Sequence, residues 1–363
     1  MLAAERAAWL RLIATPGLGP RTARHLLGHF GLPNQIFDAG LAALTRVVPE
    51  PLAGLLASDA SADVQSVIEA TEHWLQASPQ HALVSLADAE YPQLLLNTPD
   101  PPPLLFAVGR VELLTRPALA IVGSRNATQQ GLANAAAFAA ALARSGLTIV
   151  SGLALGIDAA AHQGALDAGS DAGTIAVVGT GVDITYPAGN RALAQRIRNE
   201  GLVISEFPLR TPALAQNFPR RNRIIAGLAR GVLVVEAALR SGSLITARFA
   251  ADAGRDVFAV PGSIHSPLAK GCHRLIREGA KLVDSAQDIA AELGLGRSET
   301  RREENEPASP SELLELIGHD PVDLDTLAQR TGRDAADLAA ALLELELAQD
   351  IERLPGNRYQ RLR

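Results

Sequence analysis

Cysteine is nearly absent from this 363-residue chain: Cys272 stands alone. That excludes an intrachain disulfide and suits a reducing compartment. Aromatic residues make up only 4% of the chain, so any surface that recognises a ligand by stacking must do it with few rings. No apolar run reaches the length of about 18 residues that a membrane-crossing helix needs, so no membrane insertion is expected. The opening residues carry Glu5 and Arg6, and Arg11 interrupts Trp9–Ala14, which is not the pattern of a signal peptide. His25, His29, His73 and His81 have no cysteines beside them, and no zinc or other metal site is expected. The chain has no Gly-x-x-x-x-Gly-Lys-Ser/Thr loop and completes no Gly-x-Gly-x-x-Gly motif. No nucleophile, base and acid form a convincing catalytic set. The expectation is a cytoplasmic protein with no catalytic residues and no cofactor.

What is present is a regular alternation between Pro117 and Asp284. Short Val/Ile/Leu-rich runs at Leu119–Val122, Leu147–Ser151, Thr174–Val178, Leu202–Ser205, Val232–Val235 and Asp256–Val260 are apolar almost throughout. Such runs fit strands buried on both faces of a parallel sheet. The Ala/Leu-rich segments between them, such as Leu132–Arg144 and Leu244–Ala253, are long enough for crossover helices. The reading is an α/β protein with a Rossmann-like, doubly wound sheet. Before it, residues 1–80 read as a small helical domain, with helices at Ala3–Ile13 and Pro20–Phe30. Residues 81–292 form the extended α/β domain around the motif core 117–284. Residues 293–309 carry no apolar pattern and read as a linker. Residues 310–363 read as three short helices and a hairpin, the order of a winged helix.

Charge is unevenly spread along the chain. Residues 116–283 hold 18 basic and 10 acidic side chains, whereas residues 1–115 hold 6 and 11. Residues 309–363 also hold 6 basic and 11 acidic side chains. A basic centre between acidic flanks points to an anionic partner for the α/β domain, although arginines that merely solvate helix surfaces give the same count.

Candidate site residues follow from the strand ends. In open α/β sheets ligands bind beyond the carboxyl ends of the strands. Gly123-Ser124-Arg125 lies at one such end, where the amides of the next helix start and the guanidinium form an expected phosphate seat. Ser241-Gly242-Ser243 precedes another helix, which runs through Arg248. Phe218-Pro219-Arg220-Arg221-Asn222-Arg223 places three arginines near a helix start, where the macrodipole disfavours cations and phosphates would compensate. Phe218 beside them is a candidate for stacking on an unpaired base. The alternative makes Phe218 a core anchor and pairs the arginines with Glu206 and Glu236. Asp158, after Gly152 and Gly156, reads first as a helix cap. Near the N-terminus, Pro16-Gly17-Leu18-Gly19-Pro20-Arg21 and Arg24 resemble a helix-hairpin-helix, an accessory DNA contact with Gly17 and Gly19 as the turn.

In serial order, Val122–Arg125, Ser151–Ala154, Gly156–Ala160, Tyr186-Pro187, Arg221–Gly227, Val232–Ala237, Arg240–Arg248 and Val260–Ser263 resemble the DNA-processing protein A (DprA/Smf) family. The resemblance implies a non-enzymatic protein of natural transformation that binds single-stranded DNA, forms a homodimer through the Rossmann-like domain and loads the RecA recombinase. It maps the family's basic pocket onto Arg125 and the arginines around Phe218. Leu155 departs from the pattern, where an arginine is expected. Two other readings compete: a nucleotide-binding enzyme that hydrolyses nucleoside monophosphates on a related sheet, and a protein-interaction scaffold without DNA affinity. In the C-terminal segment the third helix carries Asp334, Asp337, Glu344 and Glu346 and no basic residue. That opposes insertion into a DNA groove and leaves only Arg353, Arg358, Arg361 and Arg363 for DNA contact.

Overall fold

The structure is a computed structural model that describes residues 2–294, 313–314, 317, 320–331, 335–354 and 358–362. Two compact units divide the chain after residue 296. In the first, β1 (His81–Ser85), β2 (Leu104–Gly109), β3 (Ala118–Gly123), β4 (Thr148–Ser151), β5 (Thr174–Val177), β6 (Leu202–Ser205), β7 (Gly231–Val235), β8 (Asp256–Ala259) and β9 (Lys281–Leu282) form one sheet. Their order is β1-β2-β6-β5-β4-β3-β7-β8-β9. From β6 to β9 every pairing is parallel, and β1 and β2 join as an antiparallel extension beside β6.

The apolar strands are buried for the reason their composition suggests: helices cover both faces of the sheet. One face packs under Asn217–Leu228 and Ser243–Asp252, through Ile224, Ile225, Leu228, Ala247 and Ala250. The other packs under Gln129–Arg144 and Ile157–Asp167, through Phe138, Leu142, Ile157 and Ala161. Small residues let these two helices lie close together. A Cβ on Gly164 would stand 2.2 Å from the Ala136 carbonyl oxygen.

The N-terminal helices share a core with the sheet. Trp9, Leu10, Leu12, Leu26 and Leu56 belong to the same buried cluster as Leu104, Phe106, Val108 and Val203. The change of architecture near residue 80 is therefore not a gap in packing. In the second unit, Val322–Asp323, Ile351–Leu354 and Arg358–Arg361 form a three-stranded antiparallel sheet with the helices Leu324–Thr331 and Ala335–Leu347. Leu327, Leu338, Leu342, Ile351 and Tyr359 close its core. Two helices and a hairpin in this arrangement are the frame of a winged helix. Most of the expected linker, most of the expected helix at 310–317, Asp334 and Arg363 lie outside the described residues.

Candidate nucleic-acid interface

The winding of the sheet reverses at β3. The chain builds outward through β4, β5 and β6, then crosses back to lay β7 on the other side of β3. The helices that follow β3 and β7 therefore lie on opposite faces of the sheet and leave a crevice at the paired strand ends, the place where such sheets bind ligands. A cleft of about 800 Å³ opens there. Its lining joins the Gly123–Asn126 turn, Asp158, Tyr186, the start of the Asn217–Leu228 helix and the Arg240–Ser243 turn.

Gly123 is required by crowding: a Cβ there would come 2.0 Å from the Val235 carbonyl oxygen. Ser124 is then fixed at both ends, its amide donating to the Glu236 carbonyl (2.8 Å) and its carbonyl accepting from the Ile157 amide (3.1 Å). Gly156, with φ of +78°, brings that second strand end close. A side chain there would meet the Ser124 carbonyl oxygen at 2.3 Å. Arg125 follows, exposed, on a backbone that cannot shift far.

The phosphate seat expected at the next helix start is filled from within. Glu236 reaches over from the end of β7, and its carboxylate accepts from the Thr128 amide (2.9 Å) and hydroxyl (2.5 Å). Thr128 caps the Gln129–Arg144 helix by accepting from the Gly131 amide. A carboxylate at a helix N-terminus complements the macrodipole, so this end offers no free positive pole to a phosphate. Glu236 takes a left-handed backbone conformation (φ 54°) to arrive there. It pairs with Thr128 rather than with the arginines of the 217–228 helix.

Those arginines separate into three roles. Arg221 is 5% exposed and forms part of the cleft floor. Its Nη1 donates to the Val177 carbonyl, its Nη2 lies 4.0 Å from Asp158, and its Nε has no partner among the described residues. Burial lowers its pKa to about 10, which leaves it charged at neutral pH. Gly152 makes room for it, since a Cβ there would stand 1.8 Å from Nη1. Arg223 does not line the cleft. Its guanidinium is buried against Glu206 and donates to the Asp100 carbonyl (2.7 Å), so its charge is consumed internally. Arg220 is exposed, leaning over the Phe207 ring at 5.2 Å with Glu206 at 3.9 Å. It too lies outside the cleft lining.

Asp158 accepts from the amides of Gly152 (3.2 Å) and Ala154 (3.3 Å), which pins the turn after β4. Burial raises its pKa, and Arg221 opposes that rise. It is the one carboxylate in the cleft lining among the described residues. His162 lies buried behind it, with Nδ1 2.7 Å from the Thr174 hydroxyl. Burial, with Arg221 adding to it, drives the His162 pKa down to about 3.

Phe218 is half-buried in the cleft wall, its ring 5.5 Å from that of Tyr186 and 5.8 Å from the Arg125 guanidinium carbon. Across the cleft, Ser241 and Ser243 share a hydroxyl–hydroxyl hydrogen bond of 2.7 Å at the start of the Ser243–Asp252 helix. Exposed Arg240 adds a cation beside them. Arg248, on the same helix, lines an adjoining groove that shares Arg240, Ser241 and Ile245 with the cleft, and sits 3.9 Å from Asp252. Of the expected residues, the fold thus gathers Gly123, Ser124, Arg125, Phe218, Arg221, Ser241, Gly242 and Ser243. It leaves Arg220, Arg223 and Arg248 outside. Arg240, Tyr186, Asn126 and Asn222 join the lining without having been selected from sequence. Arg240, directly before Ser-Gly-Ser, was the legible one. Leu155 is exposed beside Gly189, outside the cleft lining.

The N-terminal candidates form a separate shallow depression. Arg21 and Arg24 line it with His25, Gly28 and His29, and Arg24 also donates to the Thr98 carbonyl (2.5 Å). Gly17, with φ of +78°, makes the turn before Gly19 and this helix.

The chain resembles proteins already characterised. A family model described as DNA recombination-mediator protein A matches residues 82–294, and the DprA winged helix domain matches residues 297–357. Protein Smf of Escherichia coli is 43% identical across 82% of this chain and 81% of its own. The X-ray structure of DNA processing protein A from Streptococcus pneumoniae is 41% identical. It superposes with a TM-score of 0.64 over 77% of this chain and 95% of that one. DNA processing protein A from Helicobacter pylori, whose structure concerns single-stranded DNA binding, is 30% identical with a TM-score of 0.53. That match covers 58% of this chain and 95% of the other. By sequence across both units and by fold, the chain belongs to the DNA recombination-mediator protein A family.

Proposed function

We propose that this protein binds single-stranded DNA in the cleft at the end of β3 and β7 and acts as a recombination mediator, passing the bound strand to RecA. The observation that carries the reading is the composition of that cleft. Exposed Arg125 and Arg240, the Arg221 charge in its floor and a half-buried Phe218 surround one carboxylate that is already engaged. Cations supply affinity for any phosphate backbone, and a ring accepts any unpaired base. The named Helicobacter pylori relative binds single-stranded DNA, which supports the same assignment here. A binding role also fits Asp158, whose hydrogen bonds to Gly152 and Ala154 leave it poorly placed as a catalytic base. Transfer to RecA rests on the family's mediator role. A homodimer through the α/β unit is inferred from the family resemblance alone.

Fluorescence anisotropy with a labelled dT oligonucleotide of about 35 nucleotides tests this. Binding should prefer the single strand over a duplex, weaken with salt, and be lost in Arg125→Ala/Arg240→Ala. No binding at low salt sinks the proposal.

A further inference from the structure

Among the described Phe, Tyr and Trp side chains, Tyr186 is the one left exposed, at 46%. The remaining described Phe, Tyr and Trp side chains are buried or partly buried, Phe218 in the cleft wall and most of the others within the cores. Leaving this ring in water forgoes the stabilisation that burying an aromatic brings. Its position is not random. Tyr186 lines the cleft and leans on Phe218 at a tilt of 40°. Phe218 is in turn held in place from behind, where a Cβ on Gly179 would approach its Cδ1 to 3.1 Å. The Arg125 guanidinium stands near the Phe218 ring. The two rings are tilted rather than stacked, and Tyr186 keeps nearly half of its surface exposed in the cleft lining. Its hydroxyl makes no hydrogen bond among the described residues.

We propose that Tyr186 is the stacking platform for an unpaired nucleobase, with Phe218 as its backing and Arg125 placing the adjoining phosphate. This rests on the single-stranded DNA reading and deepens it, because it assigns base contact and phosphate contact to different side chains. A duplex base is sandwiched by its neighbours and cannot offer a face to the ring. Tyr186 therefore contributes to the preference for single strands as well as to affinity.

The experiment compares two labelled probes of equal length and charge, a dT oligonucleotide and one whose central nucleotides are abasic, on the full chain. Wild-type protein should bind the dT probe more tightly. Base–ring stacking of about 1–3 kcal/mol corresponds to a loss of roughly 5-fold or more for dT in Tyr186→Ala, with affinity for the abasic probe unchanged. Tyr186→Phe should bind both probes as wild type does, since the ring and not the hydroxyl is at work. Arg125→Ala should weaken both probes and flatten the salt dependence. Equal losses on both probes in Tyr186→Ala, or none on dT, overturn the assignment while leaving the single-stranded DNA reading standing. Failure of wild-type protein to bind either probe overturns that reading itself.

Discussion

Arg221 and Arg125 both line the cleft, yet their substitutions should do different things. Arg221 is buried over Asp158, and removing it leaves a nearly buried carboxylate without its cation. Breaking such a pair costs about 3–5 kcal/mol. Arg221→Ala should therefore lower the denaturant midpoint sharply, whereas exposed Arg125→Ala should leave it within about 0.5 kcal/mol of wild type. Urea unfolding of the two variants checks this, and equal midpoints would refute the division of roles. His162 provides a second residue-scale test. Its folded pKa, about 3, lies below the ordinary histidine value, so the fold holds it neutral. The stability it contributes is full above about pH 6.5 and is lost as pH falls toward 3, because the unfolded chain takes up a proton the folded one refuses. The slope from this one group is about 1.4 kcal/mol per pH unit inside that window. His162→Asn, which keeps a partner for Thr174, should remove that component from the acid limb of a stability–pH curve. An unchanged slope would show that His162 is not the group titrating. Neither role was legible in the sequence, because nothing local marks an arginine or histidine as buried. Gly152, the residue that makes space for Arg221, lies 69 positions away from it.

At the level of elements, the strands and crossover helices were plain in the sequence, since an apolar run covered on two faces has few other readings. The Pro20–Phe30 helix and β6 have the bounds expected, and most other ends shift by one to three residues. What the pattern could not show is which helix N-terminus stays open. The start of Gln129–Arg144 looked like an anion seat, but Glu236, 108 positions away from Thr128, fills it. Likewise Arg220, Arg221 and Arg223 are indistinguishable as text. The helix turns them toward three surroundings, and only Arg221 reaches the cleft. The Glu236 carboxylate beside the Ser124 turn thus works against any incoming phosphate. Glu236→Gln should weaken the cap, costing about 0.5–1 kcal/mol of stability. The same change should raise affinity for single-stranded DNA a few-fold at low salt, an effect that fades as salt screens it. Melting and anisotropy on one preparation measure both. A gain in stability, or a loss of binding, would contradict this account of the helix start.

For the whole molecule, the basic excess of residues 116–283 overstates the charge available to a ligand. Arg196, Arg223, Arg274 and Lys281 are each paired with acidic side chains, and Arg248 lines the adjoining groove. The cleft itself presents Arg125 and Arg240, with Arg221 enclosed in its floor and paired with Asp158. Single-stranded DNA releases counterions with a slope of about −0.7 in log K against log salt for each phosphate neutralised. Two such cations therefore predict a slope of about −1.4, far shallower than the sequence count suggests. Arg125→Ala or Arg240→Ala should each bring it toward zero by about 0.7, and Arg248→Ala should leave it unchanged. Ending the chain at residue 296 should also leave the slope intact, because the first compact unit holds the whole cleft. The removed segment is acidic, with 6 basic against 11 acidic side chains in residues 309–363. Its helix Ala335–Leu347 offers Glu344 and Glu346 where a groove-reading helix would carry cations. Anisotropy titrations across several salt concentrations, with and without residues 297–363, give all these slopes together. A slope much steeper than about −1.4, or one that collapses when the second unit is removed, would place the DNA on surfaces other than this cleft.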